Sequence, residues 1–408
     1  MKPVKRFDIS TFPWLRGMSH NGRVVTFTEP FWSIPFNIIS VYAVLYMMEL
    51  GLSEREVGLT QTILVVAQII SSFVSGNLTD LLGRRRTTFI FDSISWGLAC
   101  LVWAFSNSLL GFLLAAFLNG INKVVYVSFS CMITEDATSD QRLRNYSGLY
   151  LMVIAGGFFA PLGGAVVSRM GIIPGTRLMY LLAGAIMFLM FIARHFLWKE
   201  PDGVGRAPRV DVLKGFRESL GYFMANRRTR TVFFIQAGVQ FYMVFKPIFY
   251  FVYLKKTVGL SSGMLSIIPL ATSIITMVVL LGFVPRLRIH NRERAMTLGL
   301  AMSAFSLVML ILAAGGIQWI LIFSIMLDGA GLALIRPLLD SLWADTLKQD
   351  SRAVQLAAGN TFFSLVTVPA GIIAAELYRL EPILPFIMAS LILFTVASLS
   401  FSLRRMGR

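Results

Sequence analysis

Charge, cysteine and histidine are all scarce in this chain. Only 14% of its 408 residues are charged, against about 25% in an ordinary soluble domain, which argues against a soluble enzyme of this length. The two cysteines, Cys100 and Cys131, lie inside long apolar runs, so neither a disulfide framework nor a cysteine metal site is expected. His20, His195 and His290 fall near the ends of such runs and show no metal-ligand spacing. No G-x-x-x-x-G-K-S/T phosphate loop is present, which disfavours an ATP-driven pump. There is no histidine-rich cluster and no nucleophile–base pair, so an enzyme is not expected, and no metal or cofactor is implied. The first 23 residues are basic and polar, without the apolar core and small-residue cleavage site of a secretion signal.

What is abundant is apolar. Hydrophobic residues make up 56% of the chain and mean hydropathy is +0.71, which places it among membrane lipids. The apolar residues come in runs of about 20, the length that crosses a hydrocarbon core. About twelve spans can be read: 24–48, 57–79, 87–106, 110–133, 146–168, 177–197, 231–254, 261–284, 295–314, 317–341, 354–377 and 383–403. The expected fold class is an all-α membrane protein.

The formal charge of +16 invites a nucleic-acid reading, so its placement decides. With the N-terminus in the cytoplasm, 28 of the 37 Lys and Arg fall in cytoplasmic segments, six in external loops and three (Lys123, Lys246, Arg336) inside spans. That is the positive-inside asymmetry. The charge is topological, both termini are expected in the cytoplasm of a cell-membrane protein, and no nucleic acid is implied.

A polar stretch separates six spans from six. The expected division is an N-terminal bundle over 1–198, a cytoplasmic linker over 199–230 and a C-terminal bundle over 231–408. Within the linker, "VDVLKGFRESLGYF" suits a short amphipathic surface helix. The halves repeat each other. "FLNGINKVVYV" (117–127) aligns with "MLDGAGLALIR" (326–336), Asp136 with Asp345, Pro161 and Gly163 with Pro369 and Gly371, and "LGLS" (50–53) with "VGLS" (258–261). Parallel repeats of this kind are related by a pseudo-two-fold axis along the membrane normal and hold a solute between them near the midplane.

Between the second and third spans lies "SGNLTDLLGRRRT" (75–87), one acid and three arginines in a short hairpin between greasy runs. Gly76, Leu78, Asp80, Gly83, Arg84 and Arg85 match the hairpin signature of the major facilitator superfamily, which this chain resembles over essentially its whole length; Leu81 stands where that signature has a basic residue. The resemblance implies twelve transmembrane helices in two six-helix bundles. It also implies that this cluster latches the cytoplasmic face when the carrier opens outward.

The physical reading agrees. Gly76 permits close helix approach and Gly83 a tight turn. Asp80, near hydrocarbon, needs a partner; Arg84, Arg142, Arg144 or the start of the eleventh span are the candidates. The cytoplasmic gate is therefore assigned to Gly76, Asp80, Gly83, Arg84, Asp136 and Arg142, with Arg85 and Arg86 read as topological anchors. In the second half, "GFVPRLRIHNRER" keeps Gly282 but has Arg286 where the acid would be, so the ionic latch centres on the first half. The fifth span, "GGFFAPLGGAVV" (156–167), resembles the Gly/Pro motif of proton-coupled exporters, with Ala160 in place of a glycine.

The resemblance also implies that spans 1, 4, 7 and 10 line the cavity. Span 1 carries Glu29, Ser33, Asn37 and Ser40 on one face, with Pro30 and Pro35 as expected kinks. Span 4 carries Asn119, Asn122, Lys123, Tyr126 and Ser130; span 7 carries Gln236, Gln240, Lys246, Tyr250 and Tyr253; span 10 carries Asp328, Arg336 and Asp340. Ionisable groups in a bilayer cost about 2.5–3.5 kcal/mol each on insertion scales, so they are expected to face a wet cavity or a partner. The plainer alternative is structural pairing, Lys123 with Glu29 or Arg336 with Asp340. Asp92 in span 3 is either a cross-helix bond or a proton relay with Glu29. Glu135 and Glu376 are expected at gates or interfaces, and Trp32, Tyr42, Tyr126 and Tyr250 offer surfaces for an apolar ligand.

The expected function is secondary active transport of a small organic solute by alternating access, coupled to protons through Glu29 and Asp328, by a chain that acts as a monomer. Export of hydrophobic compounds by an antiporter is slightly favoured. The alternatives are an importer or uniporter of an anionic or zwitterionic metabolite, or a non-transporting sensor with a transporter fold.

Overall fold

The computed structural model describes residues 16–200, 212–286, 292–316, 318–348 and 352–406. His290, the central part of the expected linker (201–211) and the side chain of Arg352 lie outside the described residues. Eleven described helices are long and apolar enough to cross a membrane, and a bent pair makes a twelfth. The bent pair is span 1, His20–Ser40 with Ala43–Glu49, turned by 41°. Spans 2 to 6 are Glu54–Leu82, Arg84–Phe105, Leu109–Thr134, Asp140–Met170 and Ile172–Leu197. The linker helix Val212–Ala225 follows. Spans 7 to 12 are Arg227–Lys256, Ser262–Gly282, Arg292–Gly315, Trp319–Trp343, Ala358–Leu380 and Leu384–Leu403.

Local chemistry sets the ends. Ser53 with Glu56 and Thr138 with Gln141 form reciprocal capping boxes that start spans 2 and 5. Asn226 and Ser261 cap spans 7 and 8. Gly83, at φ 84°, turns span 2 into span 3 in one residue, a conformation that a side chain would strain. The sharp bend of span 1 does not sit at its prolines. Pro30 interrupts the helix after Glu29, but Pro35 is carried inside a continuous turn, and the large angle comes at Val41–Tyr42. Tyr42 is fully buried there and donates to the Ser262 carbonyl at 2.7 Å.

Spans 1–6 pack among themselves, as do spans 7–12; span 2 meets span 11 and span 5 meets span 8 between the two groups. Leu81, Leu110 and Phe196, each more than three-quarters exposed, lie on the outer surface, as suits helices solvated by lipid. The linker helix lies against the second half. Phe223 is buried between Phe233 and Trp343, and the Tyr222 hydroxyl donates to the Thr346 carbonyl.

With the bent pair taken as one span, twelve crossings put both ends of the described chain on one face, together with the Asp80 hairpin and the linker; it is called the basic face here. Hydrogen bonds and ion pairs joining the halves cluster toward the opposite face. Arg55 pairs with Glu376, Lys255 with Glu49 at 3.4 Å, and Thr62 donates to the Val368 carbonyl. Gly58 and Gly371 meet backbone to backbone, leaving no room for a Cβ on either. Toward the basic face, Tyr126 and Tyr150 are 61% and 49% exposed, and Arg336 and Asp340 are exposed as well. The molecule is open to the basic face and closed at the other.

Candidate functional site

The first polar centre lies within spans 1–6. Glu29 follows the first turns of span 1 and is buried, with a carboxylate oxygen 3.1 Å from Nη2 of Arg194 on span 6. Arg194 Nε donates to Thr28 Oγ1 at 2.9 Å, and the guanidinium lies over the rings of Phe129 and Trp198 at 5.4 and 5.5 Å. Asp92 is also buried and lies in the field of both Glu29 and Arg194. These three groups border a cavity of about 210 Å³ together with Gln68, Lys123 and Tyr126. Two buried acids thus share one buried arginine. Trp32 and Trp96 also border this cavity; Trp32 stacks on Phe36 at 4.9 Å and meets Trp96 edge-on at 5.2 Å.

Span 3 turns irregular just after Asp92. The helix changes to a π-helical turn over Ser93–Leu98 immediately after it. Such a turn releases a backbone carbonyl from the α ladder, and the Ser95 carbonyl accepts from Asn119 Nδ2 at 2.6 Å.

The second centre lies between the halves. Lys246 Nζ on span 7 is 2.6 Å from Asp328 on span 10, whose other oxygen accepts from the Tyr242 hydroxyl at 3.0 Å. Lys246 also sits 4.8 Å from the Tyr250 ring centre. This pair borders a cavity of about 280 Å³, to which span 1 contributes Asn37 and Ser40 and span 8 contributes Thr272 and Ser273. Nearer the basic face, Lys123 of the first half and Arg336 of the second lie within each other's field, and Tyr126 and Tyr150 lie in the fields of Arg336 and Asp340. Among the described residues neither Lys123 nor Arg336 has a carboxylate within 4.0 Å.

A six-plus-six helix body, open on one face, with charged groups gathered around a central space, matches a known family. The Major Facilitator Superfamily model matches residues 32–371. The chain belongs to the major facilitator superfamily. It is an integral, multi-pass membrane protein with that family's fold. Among curated proteins it is similar to an uncharacterized MFS-type transporter of Methanocaldococcus jannaschii, 23% identical over 242 residues, or 56% of this chain and 59% of the relative. The chain thus matches less than two thirds of that relative's length. Among solved structures, nucleoside transporter NupG superposes with a TM-score of 0.73 at 13% identity, covering 96% of this chain and 100% of that one. Peptide transporter POT in complex with alafosfalin gives 0.72 at 18% identity, covering 98% and 97%. At these identities the likeness is one of fold.

Within the superfamily fold, several expected cavity residues turn elsewhere. Ser33 is fully buried and donates to the Met152 carbonyl at 3.0 Å, a bond from span 1 to span 5. Asn119 is held by span 3, accepting from Trp103 Nε1 while donating to Ser95. Gln240 borders neither cavity. Gln236 donates to Asp340 at 3.2 Å, so the expected Arg336–Asp340 pair is not formed. Nor is a Glu29–Lys123 pair, because Arg194 holds Glu29. Arg194 itself was missed as a site residue. It falls inside the span read over 177–197, yet its place three residues before the end of that run makes it read as linker charge.

The hairpin is partly as expected. Asp80 lies 3.5 Å from Arg84, but the main partner of Arg84 is Glu135 at the end of span 4, through two bonds of 3.0 and 3.1 Å. Arg142 donates to the Thr134 carbonyl instead of reaching Asp80, and Asp136 is exposed. Nothing lies within 4 Å of a Cβ built on Gly76, so the expected close approach does not occur there. It occurs between Gly120 and Ala67, and between Gly58 and Gly371. Glu200, just past span 6, accepts from the Arg84 and Arg85 backbone N–H groups at 2.6 and 3.0 Å. It satisfies the helix start as an anion should.

Proposed function

We propose that this protein is a proton-coupled secondary active transporter of a small organic solute that carries an anionic group, working by alternating access. The observation that supports it most is the placement of Lys123 and Arg336. Each half brings one cation without a carboxylate partner to the same open space, where like charges repel. An anionic solute between them removes the repulsion and favours closure of the halves. On this reading the basic face is cytoplasmic, both termini lie there, and the described conformer is inward-open. One chain holds the whole pathway, and no bond in the solute is made or broken.

Proton coupling is assigned to the buried carboxylates. A carboxylate whose surroundings alternate between wet and closed, and between paired and free, can load a proton on one side and release it on the other. Glu29 and Asp328 each have a cation for a partner, and Asp92 adjoins Glu29. Asp80, Arg84 and Glu135 would latch the basic face in the opposite conformer. A second reading, proton-driven export of hydrophobic compounds, is favoured by the Trp32–Phe36–Trp96 wall.

The test is counterflow and proton flux in proteoliposomes with a paired probe set: carboxylate- and phosphate-bearing solutes against their neutral esters and amides. Transport of the acids, weakened roughly ten- to a hundredfold by Lys123→Gln or Arg336→Gln, is the expected result. Transport of the neutral members alone, unaffected by both changes, refutes the anionic reading in favour of the second. Glu29→Gln and Asp328→Asn should separate solute exchange from proton movement. Equal solute transport without proton movement in wild type and both variants would mean a uniporter.

A further inference from the structure

Among the described residues, three buried polar atoms at the basic-face end of the first half have no protein partner: Arg85 Nε, His195 Nδ1 and Trp198 Nε1. All three residues border one space of about 10 Å³ between spans 3 and 6, which Asp92 also borders. A buried polar atom left unsatisfied costs about 1–3 kcal/mol, so three around a single gap call for a common partner. The gap has the room of about one water molecule, and a buried water needs two to four polar neighbours. The donor and acceptor count fits. Arg85 Nε–H and Trp198 Nε1–H can only donate, which fills the two lone pairs of a water. Its two protons then face the Asp92 carboxylate and His195 Nδ1. In a neutral imidazole one ring nitrogen donates and the other accepts, and with the proton on Nε2 it is Nδ1 that accepts.

We propose that this space is a water-bearing proton port, joining the Glu29–Asp92 carboxylates to the basic face through the interior of the first half and separately from the solute cavity. The inference deepens the proton-coupled reading and rests on it. Asp92, Arg194 and Phe191 border both this space and the larger cavity that holds Glu29. Asp92 can therefore take a proton from one and give it to the other. Arg194 stands in the throat, and its charge keeps a free hydronium ion from passing while it holds Glu29. The walls come from spans 3 and 6 and the residue just after span 6, all in one half. Rocking of the halves closes the solute mouth but leaves these walls together.

The transfer balances. When Asp92 is protonated, its O–H takes one lone pair of the water in place of Trp198 Nε1–H; the carboxyl then gives that proton to the water as the water gives one of its own to His195 Nδ1, and the imidazolium releases the Nε2 proton at the basic face. Loading runs in reverse. The charged groups that set the traffic are Glu29, Lys123 and Arg194 around Asp92, and Arg85, Arg86 and Glu200 around His195.

The test uses the full chain in lipid nanodiscs, with Cys100→Ala and Cys131→Ala as background. Tyr150→Cys and Asp340→Cys are bridged by a bifunctional thiol reagent to lock the solute mouth. The probe is the proton: after a pH jump, infrared absorption of protonated carboxyl groups is followed, with the band assigned by Asp92→Asn and Glu29→Gln. The band is expected to respond as fast in the locked protein as in the unlocked one. His195→Phe should slow it roughly a hundredfold in the locked protein, the loss typical of removing a positioned proton carrier, and leave the unlocked protein fast, which also shows that the variant folds. A band that locking alone slows, or that His195→Phe leaves unchanged in the locked protein, overturns the port while proton coupling stands. No titrating band sensitive to either carboxylate change overturns proton coupling and the port with it.

Discussion

Two buried ion pairs among the described residues look alike on paper and differ in their surroundings. Glu29–Arg194 lies inside one half, clasped by aromatic rings, with Asp92 as a second acid beside it. Lys246–Asp328 lies on the wall between halves, balanced in charge, with a tyrosine hydroxyl completing the carboxylate's bonds. On the proposed alternating-access reading, the first pair keeps its partners when the halves move. The second sits where a solute or a rearranged neighbour can replace a partner. A charge pair enclosed in a rigid body suits protonation, and a pair on a moving surface suits the coupling of solute to conformation.

The comparison can be broken most forcefully at Arg194. Arg194→Met leaves two acids buried without an ion-pair partner, and thermal unfolding in detergent should report a loss of about 3–5 kcal/mol, the scale for stripping one partner from a buried pair. Adding Glu29→Leu should recover much of it; no recovery would show that Arg194 acts through packing. Lys246→Met should destabilise less, by about 1–3 kcal/mol, because Tyr242 still serves Asp328, yet it should abolish solute exchange in proteoliposomes. If instead Lys246→Met unfolds the protein and Arg194→Met does not, the assignment of the two roles is reversed.

Smaller effects sharpen the contrast. Asp92→Asn removes the surplus acid and should alter stability by no more than about 1 kcal/mol, while changing the pH dependence of transport. Smallest in stability and clearest in population is Arg55→Gln, which opens the exposed Arg55–Glu376 bond between halves at the far face. It should raise the labelling rate of a cysteine placed at that face without moving the unfolding temperature. High salt should mimic it in wild type, since exposed pairs are screened.

Much of this was legible in the sequence. Apolar run length gives the spans, the steady 208–209 offset gives the repeat, and the Asp80 hairpin gives the family. Spacing also says that Glu29, Ser33 and Asn37 share a helix face. It does not say which neighbour that face meets. A face that rotates past span 5 gives Ser33 to the Met152 carbonyl, and a π-turn in span 3 gives Asn119 a carbonyl that no periodicity shows. Arg194 was hidden for a different reason. A long side chain near a helix end can snorkel to water or fold inward, and only the rings of Phe129 and Trp198 and the Glu29 carboxylate decide for inward.

The short stretch after span 6 carries a consequence for anyone dividing the molecule. Asn21 exchanges hydrogen bonds with the Lys199 backbone, and Glu200 seats the first turn of span 3. A gene cut after residue 198, where composition changes, would strip the first piece of its own fastening. A cut between 201 and 211 leaves that fastening on one piece and the Phe223 anchor on the other, so each of two separately made chains keeps the contacts that complete its own half.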